Sequence, residues 1–275
     1  MGWAIYHNPD CGTSRNVLAA LHASGIAPRI IEYLRSPPDR STLKELIAGT
    51  GLPLRGVIRE HGTPFHQLGL DDPSRSDDEL VEAMVRHPIL INRPIVVGPD
   101  STQLCRPSDV VFDLLNGRAG GDLKREDGAP FLRDEPISGS ASELRVTLEE
   151  ARLPVDDLEQ TGRHFFAYRT LGDTQVGFGG YELYDGDVLL RSVVVTPNAR
   201  STGVGRNLVP LLMRRTFDRG ARRAFVLTTT AKSFFERLWF EPIDRTTAPP
   251  AILATRQAAG LCPSSAPLLM RRITL

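Results

Sequence analysis

A single cysteine stands at the start of an amphipathic helix in the stretch IYHNPDCGTSRNVLAALHASG. A thiol in this position faces free backbone N–H groups and the positive end of the helix dipole, and both stabilise the reactive thiolate form of Cys11. Gly12 allows a ligand to approach the backbone closely, and Thr13 and Ser14 can donate hydrogen bonds. Arg15 adds positive charge one turn into the helix, so the segment combines a nucleophile with an anion site suited to a tetrahedral oxyanion. The alternative is a buried structural cysteine beside a capped helix.

Three arginines in confined positions favour the functional interpretation of Cys11. Arg93 in INRPIVV and Arg106 in LCRPSD each precede a proline at the edge of an apolar run, and Arg59 in GVIREHG follows an apolar pair. Each could form a surface ion pair, but the three together favour a site for an anion. A redox pair would carry a second cysteine at position 14, where this sequence has Ser14. A resolving thiol should therefore come from another molecule.

The motifs YHNPDCGTSRNVL, HPILINRPIVV and LCRPSDVV, between residues 5 and 115, resemble those of the glutaredoxin-coupled arsenate reductases, a branch of the thioredoxin-like fold. The resemblance implies that the Cys11 thiolate attacks arsenate, that glutathione displaces a second oxygen, and that glutaredoxin helps to release arsenite. It also implies a cis peptide bond before Pro94. Regulatory proteins of the same branch bind RNA polymerase and lack the arginines, so the arginines argue against that role here.

The same resemblance implies roles for other residues of the first site. Arg59, Arg93 and Arg106 would hold the oxyanion and its intermediates. His7 and Ser14 would tune the thiolate. We therefore expect these five side chains to meet around the sulfur of the nucleophile.

A second candidate site lies in the stretch VVVTPNARSTGVGRNLV, where an apolar strand runs into a loop with the spacing R-x-x-G-x-G. Glycines allow close backbone approach, and the N-terminus of the following helix presents N–H groups to phosphate oxygens. The loop lacks the Lys-Ser/Thr of a P-loop, and it follows an antiparallel meander rather than the parallel unit of a dinucleotide fingerprint. The pattern predicts a pyrophosphate cradle of another class.

Residues 143–273 resemble the GNAT family of acetyl-CoA-dependent N-acyltransferases. The resemblance implies that the strand before the loop offers backbone groups to the pantetheine arm and that the loop wraps the pyrophosphate. The segments LLRSVVV, LTTTAKSFF and LCPSSAPLL are similar to the arsenic-resistance members of that family. The residues implied in acetyl-CoA binding are Val193, Val194, Val195, Arg200, Ser201, Thr202, Gly203, Val204 and Gly205.

Two positions depart from the GNAT pattern. Phe235 stands where the family usually has the tyrosine that protonates the departing CoA thiolate, and Trp239 replaces a usual glycine. Because phenylalanine cannot donate a proton, water, Ser233 or Thr229 would have to replace the tyrosine.

Two charged residues on the predicted strands are candidates for contact with an acyl acceptor. Glu182 could act as the general base for the substrate amine, or it could be a solvated strand carboxylate. Arg191 lies among apolar residues, where it could bind a substrate carboxylate or oxyanion or form a buried salt bridge.

Alternating strand and helix signals position both sites. The N-terminal part alternates between apolar strand runs and amphipathic helices, one of which Ser41 can cap. Residues 117–142 are rich in Gly, Ser and charge and are predicted to be a flexible linker. Three strand-like runs joined by LGDT and YDGD then predict an antiparallel meander. The expected fold is α/β in two domains, a thioredoxin-like domain at 1–116 and a GNAT domain with a mixed sheet and flanking helices at 143–275.

The composition excludes several functional classes. Lys and Arg number 33, as do Asp and Glu, so no net charge favours nucleic acid or an anionic membrane as a partner. No apolar run approaches the roughly 20 residues of a membrane-spanning helix, and the N-terminus lacks a signal-peptide pattern. The scattered Cys11, Cys105 and Cys262 predict a reduced, cytoplasmic protein with Cys105 as a small core residue. The histidines lack paired metal-ligand spacing, so no metal is expected.

The two domains can be combined in two ways. In the first, the chain is a bifunctional arsenic-detoxification protein. It reduces arsenate with glutathione and glutaredoxin, and it N-acetylates a small amine with acetyl-CoA. The acceptor stays open between an organoarsenical, another toxic amine and a protein amine. In the second, an active arsenate reductase is joined to a non-catalytic acyl-CoA-binding or regulatory domain, which the departures at Phe235 and Trp239 favour.

Overall fold

Two separate β-sheets organise the chain into two units, Met1–Asp127 with Thr274–Leu275, and Gly128–Ile273. The computed structural model describes residues 2–115, 121, 123–261, 263 and 265–275. Parts of the predicted linker, and Cys262 within LCPSSAPLL, lie outside the described residues. Among the described helices, none has the length and apolar character that a membrane crossing requires.

The first unit contains a four-stranded sheet in the order β2-β1-β3-β4. β1 pairs in parallel with β2 and antiparallel with β3, and β3 pairs antiparallel with β4, as the strand pair around PDST predicted. The last predicted helix is present as a 3₁₀ helix, Ser108–Leu114. The strands and α-helices are β1 (Ala4–His7), α1 (Gly12–Ala23), β2 (Arg29–Glu32), α2 (Arg40–Gly49), α3 (Leu54–Val57), α4 (Asp77–Arg86), β3 (Ile95–Val97) and β4 (Thr102–Leu104).

The expected cap of α2 is wrong by two residues. The carboxylate of Asp39 accepts a hydrogen bond from the Thr42 N–H at 2.8 Å, so Asp39 is the N-cap. Ser41 lies inside the helix and donates its hydroxyl to Asp39 at 2.9 Å. An aspartate satisfies the free N–H groups and the positive helix end together, which explains why it occupies this position.

The second unit contains a seven-stranded sheet in the order β10-β11-β9-β8-β7-β6-β5. The predicted antiparallel meander is confirmed as β6, β7 and β8. The strands and α-helices are β5 (Leu132–Ile137), α5 (Ser142–Glu150), β6 (Arg163–Thr170), β7 (Gln175–Tyr184), β8 (Asp187–Val195), α6 (Val204–Asp218), β9 (Arg223–Leu227), α7 (Lys232–Glu236), β10 (Glu241–Ile243), α8 (Pro250–Leu253) and β11 (Leu268–Arg272).

The prediction of a linker over residues 117–142 is wrong for its second half. β5 pairs antiparallel with β6 along its whole length, and Leu132 is buried in the second unit. Asp134 accepts two hydrogen bonds of 2.7 Å from Arg215 of α6. The sequence did not reveal this strand, because its charged residues suggested exposed linker and their partners lie in distant parts of the sequence.

β8 and β9 pair in parallel only from Asp187–Arg223 to Leu190–Val226, and the rest of β8 has no partner in β9. A register shift in the β7–β8 pairing accompanies this divergence. Ser192 lies in the shifted stretch of β8 and has a positive φ of 53°. The fork between the two strands forms the second candidate site.

Candidate active sites

The turn between β1 and α1 places Cys11 at the N-cap of the helix, with extended φ and ψ of −104° and 114°. The Cys11 N–H donates to the Asn8 carbonyl at 3.1 Å, and the Cys11 carbonyl accepts from the Arg15 N–H at 3.0 Å. Ser14 is completely buried, and its hydroxyl accepts from the Asn8 N–H at 3.4 Å. The thiol therefore lies at the open end of the helix, as the sequence predicted, with Gly12 and Thr13 in the first turn.

The surroundings of Cys11 favour the thiolate. Burial alone raises the pKa of the thiol. Hydrogen bonds from the Ser14 N–H and hydroxyl, and the positive charges of Arg93 and Arg106, outweigh burial and lower the pKa below its ordinary value. A thiol with a lowered pKa supplies more of the nucleophilic form at neutral pH.

The three predicted arginines gather near the sulfur. Arg106 hydrogen-bonds Cys11 and donates from Nη1 to the Arg93 carbonyl at 3.4 Å. Arg59 donates from Nε to the His61 carbonyl at 2.6 Å. Burial lowers the pKa of Arg59, and the nearby positive charge of Arg93 lowers it further. Positive charge thus accumulates around one thiolate.

Arg93 is the most informative of these residues. The residue is only 6% exposed, and neither Nε nor Nη1 has a hydrogen-bond partner among the described residues. Buried polar groups are normally paired, so a buried guanidinium with unused donors is suited to receive an anion. The Arg93–Pro94 bond is cis, which confirms the expectation for Pro94, and the Arg106–Pro107 bond is cis as well.

Two further buried groups of the first unit are His7 and Tyr33, of which Tyr33 interacts electrostatically with Cys11. His7 is buried at the end of β1 with its Nδ1 unpaired among the described residues, and burial lowers its pKa. Sequence reasoning missed Tyr33, which is completely buried and donates its hydroxyl to the Ile91 carbonyl at 3.2 Å. Burial raises the pKa of Tyr33, and the charges of Arg93 and Cys11 also act on it. No local motif marks this tyrosine, because it joins the site only through folding.

Arg15, which the sequence predicts to add positive charge to the anion site, forms an ion pair. Its Nε and Nη2 donate to the two carboxylate oxygens of Glu126 at 2.5 and 2.9 Å. The exposed pair lies beside Gly12, where an added Cβ would be 3.2 Å from Glu126 Oε2. Sequence reasoning missed Glu126, because it falls within the predicted linker.

The second site is a cleft of about 610 Å³ at the fork between β8 and β9. Of the residues implied in acetyl-CoA binding, five line the cleft. Gly203, with φ of 88°, is the N-cap of α6, and Val204 is buried; neither residue lines the cleft. Ser201 and Thr202 do not line the cleft. The five lining residues are Val193, Val194, Val195, Arg200 and Gly205.

The structure clarifies the departures from the GNAT pattern. Phe235 is buried at the cleft between the rings of Phe234 and Phe240, at 5.1 and 5.3 Å between centroids. Ser233 lines the cleft, whereas Thr229 does not. Trp239 has a φ of 64° and is 80% exposed, so the chain adopts a left-handed conformation where the family usually has glycine.

Glu182 and Arg191 belong to a buried ion network. Arg191 is 3% exposed, donates from Nη1 to Glu182 at 2.5 Å and to Asp157 at 3.0 Å, and also lines the cleft. Glu182 is also buried and accepts from the Tyr184 hydroxyl at 2.6 Å, so it is neither solvated nor available as a base in this arrangement. Arg163 donates to Asp157 at 2.9 Å. Sequence reasoning missed Asp157 because it lies in an irregular segment before β6.

Comparisons with known proteins agree with this division of the chain. The ArsC family model matches residues 6–114, and the model of the Acetyltransferase (GNAT) family matches residues 131–240. An arsenate reductase of Rhizobium meliloti is 58% identical over 46% of this chain and 91% of its own length. One from Escherichia coli is 52% identical over 45% and 88%. A solved arsenate reductase from Vibrio cholerae is 42% identical, with a TM-score of 0.40 over 42% of this chain and 98% of that one.

Proposed function

The chain belongs to the ArsC family through residues 6–114 and carries a GNAT acetyltransferase domain at residues 131–240, and from this premise we propose that it reduces arsenate at Cys11 and transfers an acetyl group in the second unit. The observation that carries the first activity is the buried Arg93, whose Nε and Nη1 lack acceptors beside a thiolate-favouring cysteine. Arsenate brings negative oxygens that these donors can bind while the sulfur attacks arsenic.

The proposed reduction balances with two external thiols. The Cys11 thiolate forms an S–As bond and one oxygen leaves as water, with no change in oxidation state. A glutathione thiol then displaces a second oxygen in the same way. A glutaredoxin thiolate attacks the glutathione sulfur, and an S–S bond forms between the two. The bond between the glutathione sulfur and arsenic breaks, and its electron pair stays on arsenic, which becomes As(III). Hydrolysis releases arsenite and restores Cys11. Arg59, Arg93 and Arg106 would hold the charged oxygens throughout.

The burial of Cys105, the other cysteine among the described residues, supports the use of external thiols. Arsenite formation from arsenate, glutathione and glutaredoxin tests the proposal. Cys11→Ser should abolish the reaction, whereas Cys105→Ala should retain it. Arsenite production by the Cys11 variant at the wild-type rate would contradict the assignment.

In the second unit we propose that the cleft binds acetyl-CoA. The unpaired side of β8 at Val193–Val195 would contact the pantetheine arm, and the N-terminal N–H groups of α6 with Arg200 would bind the pyrophosphate. A neutral acceptor amine would attack the thioester carbonyl to form a tetrahedral adduct. The C–S bond of the adduct would then break, and one proton of its nitrogen would pass to the departing CoA thiolate, which leaves an amide and the CoA thiol. Since Phe235 cannot supply that proton, water or Ser233 would relay it.

The alternative for this unit is an acyl-CoA-binding module without turnover, which Phe235 favours. Calorimetric titration with acetyl-CoA and release of CoA thiol with a panel of small amines, including an amino-acid-like organoarsenical, separate the two. Binding with amine-dependent release supports the enzyme, and binding without release supports the module. Gly205→Leu should weaken binding, because a Cβ at this position already comes within 3.2 Å of the Phe234 ring. Absence of acetyl-CoA binding in the wild type would contradict both.

A further inference from the structure

An ion pair of fixed geometry stands at the rim of the first site. Arg15 and Glu126 form two parallel hydrogen bonds, and their side chains stay 45% and 44% exposed. Both groups rest against Gly12, the residue that follows the nucleophile. The pair therefore presents one positive and one negative charge to solvent beside Cys11.

Neighbouring contacts hold the pair in place from both sides. Arg15 donates from Nη1 to the Pro9 carbonyl at 2.5 Å, in the turn that leads to Cys11. The Glu126 N–H donates to the Asn16 side-chain oxygen at 3.0 Å. The preceding residue, Arg125, forms a largely buried ion pair with Asp109. Isolated surface ion pairs are mobile and contribute little to stability, but this pair is anchored before a ligand arrives.

Both groups keep capacity for a ligand. A guanidinium has five N–H donors, and the contacts of Arg15 among the described residues use three of them. A carboxylate accepts about four hydrogen bonds, and the described contacts of the Glu126 carboxylate use two. A ligand carboxylate can therefore join Arg15 while a ligand ammonium joins Glu126, without separating the pair.

The three arginines around Cys11, here called the inner arginines, carry positive charge, whereas the outer Arg15–Glu126 pair carries one charge of each sign. The inner arginines lie near the Cys11 thiolate, and Arg93 has donors that are unused among the described residues, which suits an oxyanion. The outer pair is neutral as a whole, so it would give a free oxyanion little net attraction. A molecule that carries ammonium and carboxylate on one carbon matches it at both charges.

We propose that the Arg15–Glu126 pair binds the zwitterionic amino-acid head of the thiol co-substrate, a γ-glutamyl thiol such as glutathione. The inference rests on the proposed reductase function. In glutathione the α-ammonium and α-carboxylate lie several bonds from the sulfur, so the head can occupy the rim while the thiol reaches arsenic on Cys11. A small neutral thiol has no group for the pair.

Steady-state arsenite formation tests the proposal with glutathione or 2-mercaptoethanol as the thiol. Glu126→Gln should raise the KM for glutathione about tenfold, since it removes the acceptor charge for the ammonium. The KM values for 2-mercaptoethanol and for arsenate should not change. Glu82→Gln is the matched control, because Glu82 is also an exposed carboxylate paired with arginines, Arg40 and Arg86, at 3.0 and 2.9 Å.

A binding measurement with a non-reactive analogue of glutathione tests the head-group site independently of arsenate reduction. S-methylglutathione retains the head group and cannot react as a thiol. When it is titrated into the wild type, the NMR signal of Arg15 Nε–H should shift until the site is saturated. In Glu126→Gln the affinity for S-methylglutathione should be about tenfold weaker. Equal affinities, or a Glu126→Gln effect that is the same for arsenate and both thiols, would overturn the proposal. If no thiol supports arsenite formation, the reductase proposal fails, and the titration still decides whether the head-group site exists.

Discussion

Replacement of Arg93 by methionine should stabilise the first unit while it impairs the reaction. Arg93 is 6% exposed, and its Nε and Nη1 are unpaired among the described residues. Its positive charge also disfavours the neighbouring charge of Arg59. An incompletely compensated buried charge opposes folding, and an apolar side chain of similar length removes that opposition. We expect the free energy of unfolding to rise by about 1–3 kcal/mol. We expect kcat/KM for arsenate to fall by about 100-fold or more.

Arg191 provides a matched control in the second unit. It is buried to a similar degree, at 3% exposure, but Asp157 and Glu182 accept its hydrogen bonds. Arg191→Met would leave two buried carboxylates short of positive charge, so the free energy of unfolding should fall by about 3–5 kcal/mol. Native-state hydrogen exchange read by mass spectrometry reports the opening of each unit separately, which the presence of two units requires.

The two variants should therefore shift stability in opposite directions. Arsenate should also stabilise the first unit of the wild type, because a ligand at about 100 times its Kd raises the free energy of unfolding by about 2.7 kcal/mol. It should have little effect on the stability of Arg93→Met. If Arg93→Met loses as much stability as Arg191→Met, Arg93 is a compensated structural residue and the oxyanion argument fails.

Other expectations concern strain, titration and the buried network. Trp239→Gly should raise the free energy of unfolding by about 1 kcal/mol in denaturant titration, because glycine relieves the left-handed φ of 64°, whereas Trp239→Ala should not; equal gains would refute the strain argument. The rate of iodoacetamide alkylation of Cys11 should reach half its maximum at a lower pH than for a free thiol. Ser14→Ala removes the Ser14 hydroxyl and keeps the Ser14 N–H, so it should move this midpoint to a somewhat higher pH; an unmoved midpoint would exclude the hydroxyl as a cause. Burial raises the pKa of Asp157, but the nearby guanidinium groups outweigh it and leave the pKa lowered, so its stabilisation is present above the unfolded value of about 3.9 and lost as the pH falls through the folded value. Asp157→Asn should flatten the acid limb of stability against pH in the second unit, and an unchanged acid limb would contradict this sign.

Local sequence patterns determined the features that depend on short stretches of chain. The strand, turn and helix around Cys11 follow from the apolar run, Asn8 to Asp10 and the helix signals after them. The glycine loop before α6 and the meander before it are equally local, since turns and strand alternation are encoded within a few residues. The position of the nucleophile at a helix N-terminus is therefore readable without coordinates.

Tertiary structure alone decided which charges are compensated. In sequence, Arg15, Arg93 and Arg191 all looked like cations suited to an anion. In the folded chain Arg15 meets Glu126 and Arg191 meets Asp157 and Glu182, whereas Nε and Nη1 of Arg93 are both buried and unused among the described residues. The partners lie far apart in sequence and come together when strands and helices pack. Because the energy of a charge depends on its burial and its neighbours, both products of that packing, sequence spacing could nominate these arginines but could not distinguish their roles.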